Sequence, residues 1–412
     1  MKKFLTVLFL TGLLTASIEA AENSAKTAGT GKAILGISPH EKEITVTAVT
    51  ADGSPVQVEG CTVTEFPSGE ETVLTATGTK VVLKGALIEL VCYKNRLTSL
   101  DVRGLTALQE LYCQDNILTS LDVRELTGLH TLYCGKNRFT ALDIRGLTAL
   151  QELYCNDNEI ASLDVRGLTG LHTLDCDNNR LTSLDVQGLT ALQWLVCSDN
   201  QITALNVQGL PALQVLECSS NRLTSLDVHV LTALKNLYCQ NNKLTSLDVQ
   251  NCTVLQSLDC SGNKLTSLNV QGCSVLQNLG CSGNALTSLD VRDCSTLHTL
   301  MTESNKLTSL DVHGLAELRY LYCSNNELSS LNAQNCSKLH SLYCRYNELT
   351  SLNVQGCNKL DSLMTEDNKL TSLDVRGCSN LYRLECNKNQ LTSLNVQGCS
   401  KLHSLMAANN KL

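Results

Sequence analysis

The chain has 412 residues, 21 of them cysteine, and only 4 prolines, 4 phenylalanines and 1 tryptophan. A formal net charge of −8 argues against nucleic acid and anionic membrane as main partners. An apolar fraction of 43 % excludes general disorder. Length alone suggests two or three globular domains, and so many cysteines suggest a disulfide framework, although such frameworks belong to short domains.

Lys2 and Lys3 precede an apolar run over residues 4–14, and Ile18-Glu19-Ala20 forms an A-x-A-like cleavage site. This pattern predicts a secretory signal peptide over residues 1–20, cleaved near Ala20. The run is shorter than the roughly 18 to 20 residues that a membrane span needs. No later stretch is apolar enough to cross a bilayer, so no transmembrane segment is expected and the expected location is secreted or cell surface. Residues 21–86 are expected to hold a flexible leader, to about residue 32, and then a small β-rich module. Its strands are read at 43–49, 61–66, 72–77 and 80–83, between glycines and prolines. Its expected role is to cap the apolar end of the repeat region that begins at residue 87.

From residue 87 to 412 one pattern returns every 21 residues without insertion or deletion: L-x-x-L-x-C-x-x-N-x-L-T-S-L-D-V-x-G-L-T-A. Residues 108–117 read L-Q-E-L-Y-C-Q-D-N-I and residues 129–138 read L-H-T-L-Y-C-G-K-N-R. A period of about 20 to 29 residues with this L-x-x-L-x-L/C-x-x-N core is the signature of leucine-rich repeats. The predicted fold is therefore a leucine-rich repeat solenoid. It has a curved parallel sheet on the concave side, an irregular turn side and about 16 rungs, counted by the asparagines from Asn95 to Asn410. Each rung gives one short strand centred on L-x-C, with Leu and Cys inward. Asn95, Asn116, Asn137, Asn158 and their equivalents are expected to hydrogen-bond backbone where the chain leaves the strand. No C-terminal cap is visible. The chain stops in mid-repeat, so a further segment or a partner is expected over that end.

Thirteen cysteines share the strand position, beginning with Cys92, Cys113, Cys134 and Cys155; Thr302, Thr365 and Ala407 stand there in the other rungs. Seven more, Cys252, Cys273, Cys294, Cys336, Cys357, Cys378 and Cys399, take a second position that is Leu in most early rungs. Ladder neighbours lie about 4.8 Å apart, within disulfide reach, but in-register side chains point the same way and a disulfide needs a torsion near 90°. Free, buried thiols acting as small hydrophobes are expected. Zinc is not expected, since there is no C-x-x-C pair and a line of thiols cannot surround a tetrahedral ion. Only Cys61 falls outside the repeat.

The D of L-T-S-L-D-V is Asp in ten repeats and Asn in five. Arg103, Arg124, Arg145 and Arg166 follow Asp101, Asp122, Asp143 and Asp164 by two positions, whereas every Asn is followed there by Gln. Charge matching along the outer surface is the expected role; calcium would need carboxylates that arginine does not neutralise.

The outward strand face collects the large side chains. Tyr112, Tyr133, Tyr154, Tyr238, Tyr322 and Tyr343 share one phase with Met301, Met364 and Met406, and Tyr93, Trp194 and Tyr320 take other outward phases. Cross-strand stacking alone could account for such a stripe. Tyr, Trp and Met are also enriched at interfaces. The expected ligand-binding residues are Tyr93, Tyr112, Tyr133, Tyr154, Trp194, Tyr238, Met301, Tyr320, Tyr322, Tyr343 and Met364. The expected partner is a host or bacterial surface protein, with a glycan as the second candidate and self-association in cell aggregation as the third. No catalytic residue, cofactor or metal is expected. His130, His172, His298, His340 and His403 share a phase at the strand edge, but no nucleophile elbow, phosphate loop or His-Glu metal motif is present.

The 21-residue unit, with Cys in place of the strand Leu and L-T-S-L-D-V after it, resembles the internalin family, in its internalin-J-like subgroup with a cysteine ladder. The resemblance spans residues 87–412. It implies a non-enzymatic bacterial surface or secreted protein that binds other proteins through its concave face, in adhesion, virulence or biofilm formation. Two features depart from the Gram-positive members: no wall-sorting motif is visible, and the N-terminal module reads as β-rich rather than helical.

Overall fold

Residues 31–412 are described by the computed structural model, so the expected signal peptide and its cleavage site near Ala20 lie outside the described residues. The chain divides into two units, residues 1–171 and 172–412. Among the described residues there is no helix.

The first unit opens with β1 (Lys32–Gly36), β2 (Glu43–Thr50), β3 (Val56–Glu59), β4 (Glu65–Phe66), β5 (Thr72–Thr75) and β6 (Lys80–Lys84). Then come β7 (Leu87–Val91), β8 (Ser99–Asp101), β9 (Glu110–Tyr112), β10 (Thr131–Tyr133) and β11 (Glu152–Tyr154). Strand alternation buries one face: Ile44, Val46 and Ala48 of β2 are buried, as are Ala33 and Leu35 of β1. β1 pairs antiparallel with both β6 and β8, and β2 with both β5 and β7. β1 and β3 were not among the expected strands. β1 carries only two buried alternating residues behind a small, polar approach, too short a signal to separate from a leader. The run at 61–66 is strand only at β4, and Cys61 makes an isolated bridge to Ala76.

β7, β9, β10 and β11 are parallel and in register, one per rung. Leu111, Leu132 and Leu153 are fully buried, and so are Cys113, Cys134 and Cys155 beside them. A buried leucine contributes about 1.5–3 kcal/mol, so the leucines carry the core and the thiols fill the narrower space. All 21 cysteines are thiols rather than disulfides. Burial pushes the Cys92 thiol up to about 12 and Cys113 well above its ordinary value.

The asparagines bind the rungs to one another. Asn116 Oδ1 accepts the backbone N–H groups of Asn95 and Leu97, at 3.1 and 2.9 Å. Its Nδ2 donates to the carbonyls of Cys92 and Cys113, both at 3.0 Å. Asn137 and Asn158 repeat the two carbonyl bonds and accept one N–H each, from Leu118 and Phe139. Asn95, in the first rung, turns to β2 instead: Thr45 N–H donates to its Oδ1 at 2.8 Å, and its Nδ2 donates to Thr45 O at 2.7 Å. The residue before each of these asparagines has a left-handed backbone, as at Lys94, Asp115, Lys136 and Asp157.

The second unit repeats the rung strand from Thr173–Asp175 to Ser404–Met406, again parallel and in register. Its turn side is less irregular than expected. Ser330–Asn332 pairs in parallel with Ser351–Asn353, and Ser372–Asp374 with Ser393–Asn395. Single bridges join Asp248 to Asn269 and Asp311 to Asn332. Each of these pairings touches a rung whose second position is Cys rather than Leu. The shorter side chain lets adjacent turns approach, and the thiols of Cys336 and Cys357 each donate to a carbonyl of the preceding rung at 3.1 Å.

Candidate functional site

With Leu and Cys turned inward, the residues between and beside them face out. In the first unit this places Tyr112, Tyr133 and Tyr154 one above another. Ring centroids are 5.1 Å apart for the first pair, tilted by 38°, and 4.1 Å for the second, stacked at 24°. The separations are those of attractive aromatic pairs. The rings are half-buried against each other, while Tyr93 is 38 % exposed.

Carboxylates flank the stack. Tyr112 OH donates to Glu110 Oε2 at 2.6 Å, and Tyr133 OH donates to Glu152 Oε2 at 3.0 Å. Burial, then the bond to Glu110, pushes the Tyr112 hydroxyl above its ordinary range; burial and Tyr154 do the same for Tyr133. Burial and the neighbouring Glu110 also raise the Glu89 carboxyl. These glutamates were not among the residues singled out from the sequence. The recurrence of E-L-Y at 110–112 and 152–154 was the available signal.

In the second unit Tyr322 and Tyr343 lie 4.9 Å apart between ring centroids, and Tyr320 lies 6.4 Å from Tyr322. Tyr320 (39 %) and Trp194 (36 %) are exposed; Tyr238 and Met301 are half-buried on the same face. Two edge histidines join the aromatic set, His340 beside Tyr320 at 6.3 Å and His403 stacked on Tyr382 at 5.0 Å. Met364 departs from the expected contact surface, being only 6 % exposed. It lies in register between Tyr343 and Glu385. The ion pair of Arg345 with Glu385 spans its rung, and Arg383 also holds Glu385, which is 4 % exposed.

The turn side carries the Asp/Asn stripe. Asp101 Oδ1 accepts Arg103 N–H at 3.1 Å, and the guanidinium closes a fork on both carboxylate oxygens at 2.9 and 2.8 Å. Asn206 and Asn269 accept the backbone N–H of Gln208 and Gln271 in the same way, each at 3.0 Å. Oxygen Oδ1 in a local backbone turn is thus the shared requirement, which is why Asp and Asn alternate. The charge is added where Arg follows. The arginine bond holds Asp122, Asp143, Asp164 and Asp290 down at about 2. A shallow groove on this side is lined by Ser225, Asp227, Ser246, Asp248 and Asn269, whose Asp and Asn oxygens already serve such turns. Among the described residues, no group of three or more His, Cys, Asp or Glu is arranged to hold a metal ion.

A family model for leucine-rich repeats in two copies matches residues 148–189. No curated protein matches the chain in sequence. Among solved structures, the chain is similar to the functional domain of InlJ from Listeria monocytogenes, which includes a cysteine ladder. Identity is 34 %, coverage is 77 % of this chain and 71 % of that one, and the TM-score is 0.71. It is also similar to a leucine-rich repeat protein of Leptospira interrogans, at 28 % identity over 69 % of this chain and 79 % of that one, with a TM-score of 0.63. For the internalin InlF of L. monocytogenes the values are 25 %, 74 %, 86 % and 0.59. With the 21-residue period, the free thiols in register and the asparagine bonds between rungs, these likenesses show that the chain belongs to the internalin family of leucine-rich repeat proteins, in its cysteine-ladder form.

Proposed function

We propose that this chain is an exported bacterial protein, secreted or held at the cell surface, that binds a protein partner through the outward strand face and serves adhesion or biofilm formation. The observation that carries the reading is the aromatic face itself. Tyr112, Tyr133 and Tyr154 stack half-buried on the outward face, and Tyr93, Trp194 and Tyr320 stand exposed, outside the Leu/Cys core. Rigid aromatic side chains give large contact area at small entropic cost. The leader with Lys2, Lys3 and the apolar run after them supports export. The protein acts by binding rather than by chemistry, with Tyr93, Tyr112, Tyr133 and Tyr154 as one contact set and Trp194, Tyr238, Met301, Tyr320, Tyr322 and Tyr343 as another.

The test is affinity capture of surface proteins from host and bacterial cells with the full chain and with Y112S/Y133S/Y154S. A partner held by the first and lost by the second supports the reading. Retention of every partner by the serine variant overturns it for this stack. Saturable binding on a glycan array, abolished by Tyr112→Ala with Tyr133→Ala, would replace the protein partner with a sugar.

A further inference from the structure

The outward strand positions of the four rungs over residues 88–156 hold three carboxylates, Glu89, Glu110 and Glu152, and no lysine or arginine. Two of the three meet tyrosine hydroxyls, and Glu89 feels its own burial and Glu110, a like charge. The faces of stacked phenol rings are negative as well. A half-buried face with one sign of charge and a π-surface is complementary to a planar cation, which can lie on a ring and fork onto a carboxylate. The chain shows the first of these contacts on itself: Lys94 Nζ lies 5.7 Å from the centre of the Tyr93 ring, at the margin of this face. Beside the stack, the side-chain oxygen of Gln114 is buried with no donor among the described residues.

From these observations we infer that the face over residues 88–156 takes an arginine- or lysine-bearing segment of the protein partner; this rests on the recognition reading above. Glu110 and Glu152 lie two rungs apart, about 10 Å at the spacing of parallel strands. A polyproline-II chain, rising about 3.1 Å per residue with three residues per turn, covers that distance in three residues and returns to the same face. The segment that fits therefore carries its cations at positions i and i+3, one over each carboxylate, with the intervening residues against Tyr133. Glutamate at those positions would place like charges together in a half-buried site.

The experiment titrates the full chain into a fluorescein-labelled peptide of Gly and Ser with arginine at every third position, and into the same peptide with glutamate or citrulline there. E110Q/E152Q is compared with E70Q/E71Q, which removes the same charge from exposed positions of the N-terminal module. The arginine peptide alone should bind. Its affinity should fall at least about tenfold in E110Q/E152Q, the loss of two charge contacts, and less than about twofold in E70Q/E71Q. No binding of the arginine peptide, or an equal loss in both variants, overturns the inference. Affinity capture separates its failure from that of the parent reading. A partner lost by Y112S/Y133S/Y154S but kept by E110Q/E152Q and through about 0.5 M salt overturns the cationic segment and leaves the aromatic face standing. A partner kept by both variants overturns both.

Discussion

Replacing Asn242 by alanine removes an amide that bonds the backbone of its own rung and of the rung before it. Asn242 is 8 % exposed. Its Oδ1 accepts Leu223 N–H at 2.9 Å, and its Nδ2 donates to Cys218 O at 2.9 Å and Cys239 O at 3.1 Å. Alanine strands the Leu223 N–H without an acceptor, which costs about 1–3 kcal/mol. The two carbonyls lose less, because Asn221 still donates to Cys218 O and Asn263 to Cys239 O. Adding about 1 kcal/mol for the weakened pair gives a destabilisation of about 2–4 kcal/mol. Repeat arrays can open locally, so amide exchange at Leu223 is measured alongside urea unfolding. Asn242→Asp supplies a sign test. It keeps the acceptor, but its ionised form faces two carbonyl oxygens, so its folded pKa is raised above the unfolded value. Its stability is fully present below the unfolded pKa and is lost as pH rises through the folded one. Asn269→Ala, which removes one bond to an exposed backbone turn, should cost under about 1 kcal/mol. Equal losses at Asn242 and Asn269, or unchanged exchange at Leu223, would refute the latch argument.

The strand thiol behaves as filler: Cys239→Thr should change stability by less than about 1.5 kcal/mol and Cys239→Leu should destabilise by about 1–3 kcal/mol through overpacking, read by urea midpoint; the buried strand thiols should stay unreacted with a thiol reagent at pH 7, unlike the partly exposed Cys61 and Cys399, and all should be titrated after denaturation without reductant. Asp122, held at about 2 by Arg124, should titrate by carboxyl NMR near that value and move up toward the ordinary range in Arg124→Ala. A lowered carboxylate stabilises above its unfolded pKa, so the contribution of this pair disappears as pH falls from about 4 to about 2. Lys136, with φ of 52°, should accept glycine with a gain of about 0.5–1 kcal/mol, and a loss there would contradict the assigned backbone strain.

The fold was legible because the period is unbroken. Leucine, cysteine and asparagine return at fixed phases of the repeat. The N-terminal module was read less completely. β1 gains its order from partners far along the chain, β6 and β8 together, and such pairing leaves no local trace; β3 pairs with neighbouring β4 as well as β6, and its four residues make only a short alternation. The left-handed residue before each asparagine does leave a trace: ten of the sixteen positions hold Asn, Asp or Gly, which take that backbone most readily, while Lys94, Lys136, Tyr346 and Lys388 take it without that preference. The tyrosine stripe could be seen, but the glutamates beside it could not be ranked until Tyr112 and Tyr133 were seen to reach them. Met364 is buried although it shares the phase of the tyrosine stripe, and the ion pair of Arg345 with Glu385 joins the rungs on either side of it.

The latch also bears on how such a chain can change its length. What Asn116 offers to Leu97 N–H and Cys92 O of the rung before it, Asn137 offers to Leu118 N–H and Cys113 O of the rung that holds Asn116. An in-frame gain or loss of one 21-residue block therefore rejoins identical donors and acceptors and leaves the interior chemistry unaltered. Only the outward positions carried by that block are added or deleted. Recombination between near-identical repeats can thus reshuffle a recognition face in single steps while the scaffold registers no mutation at all.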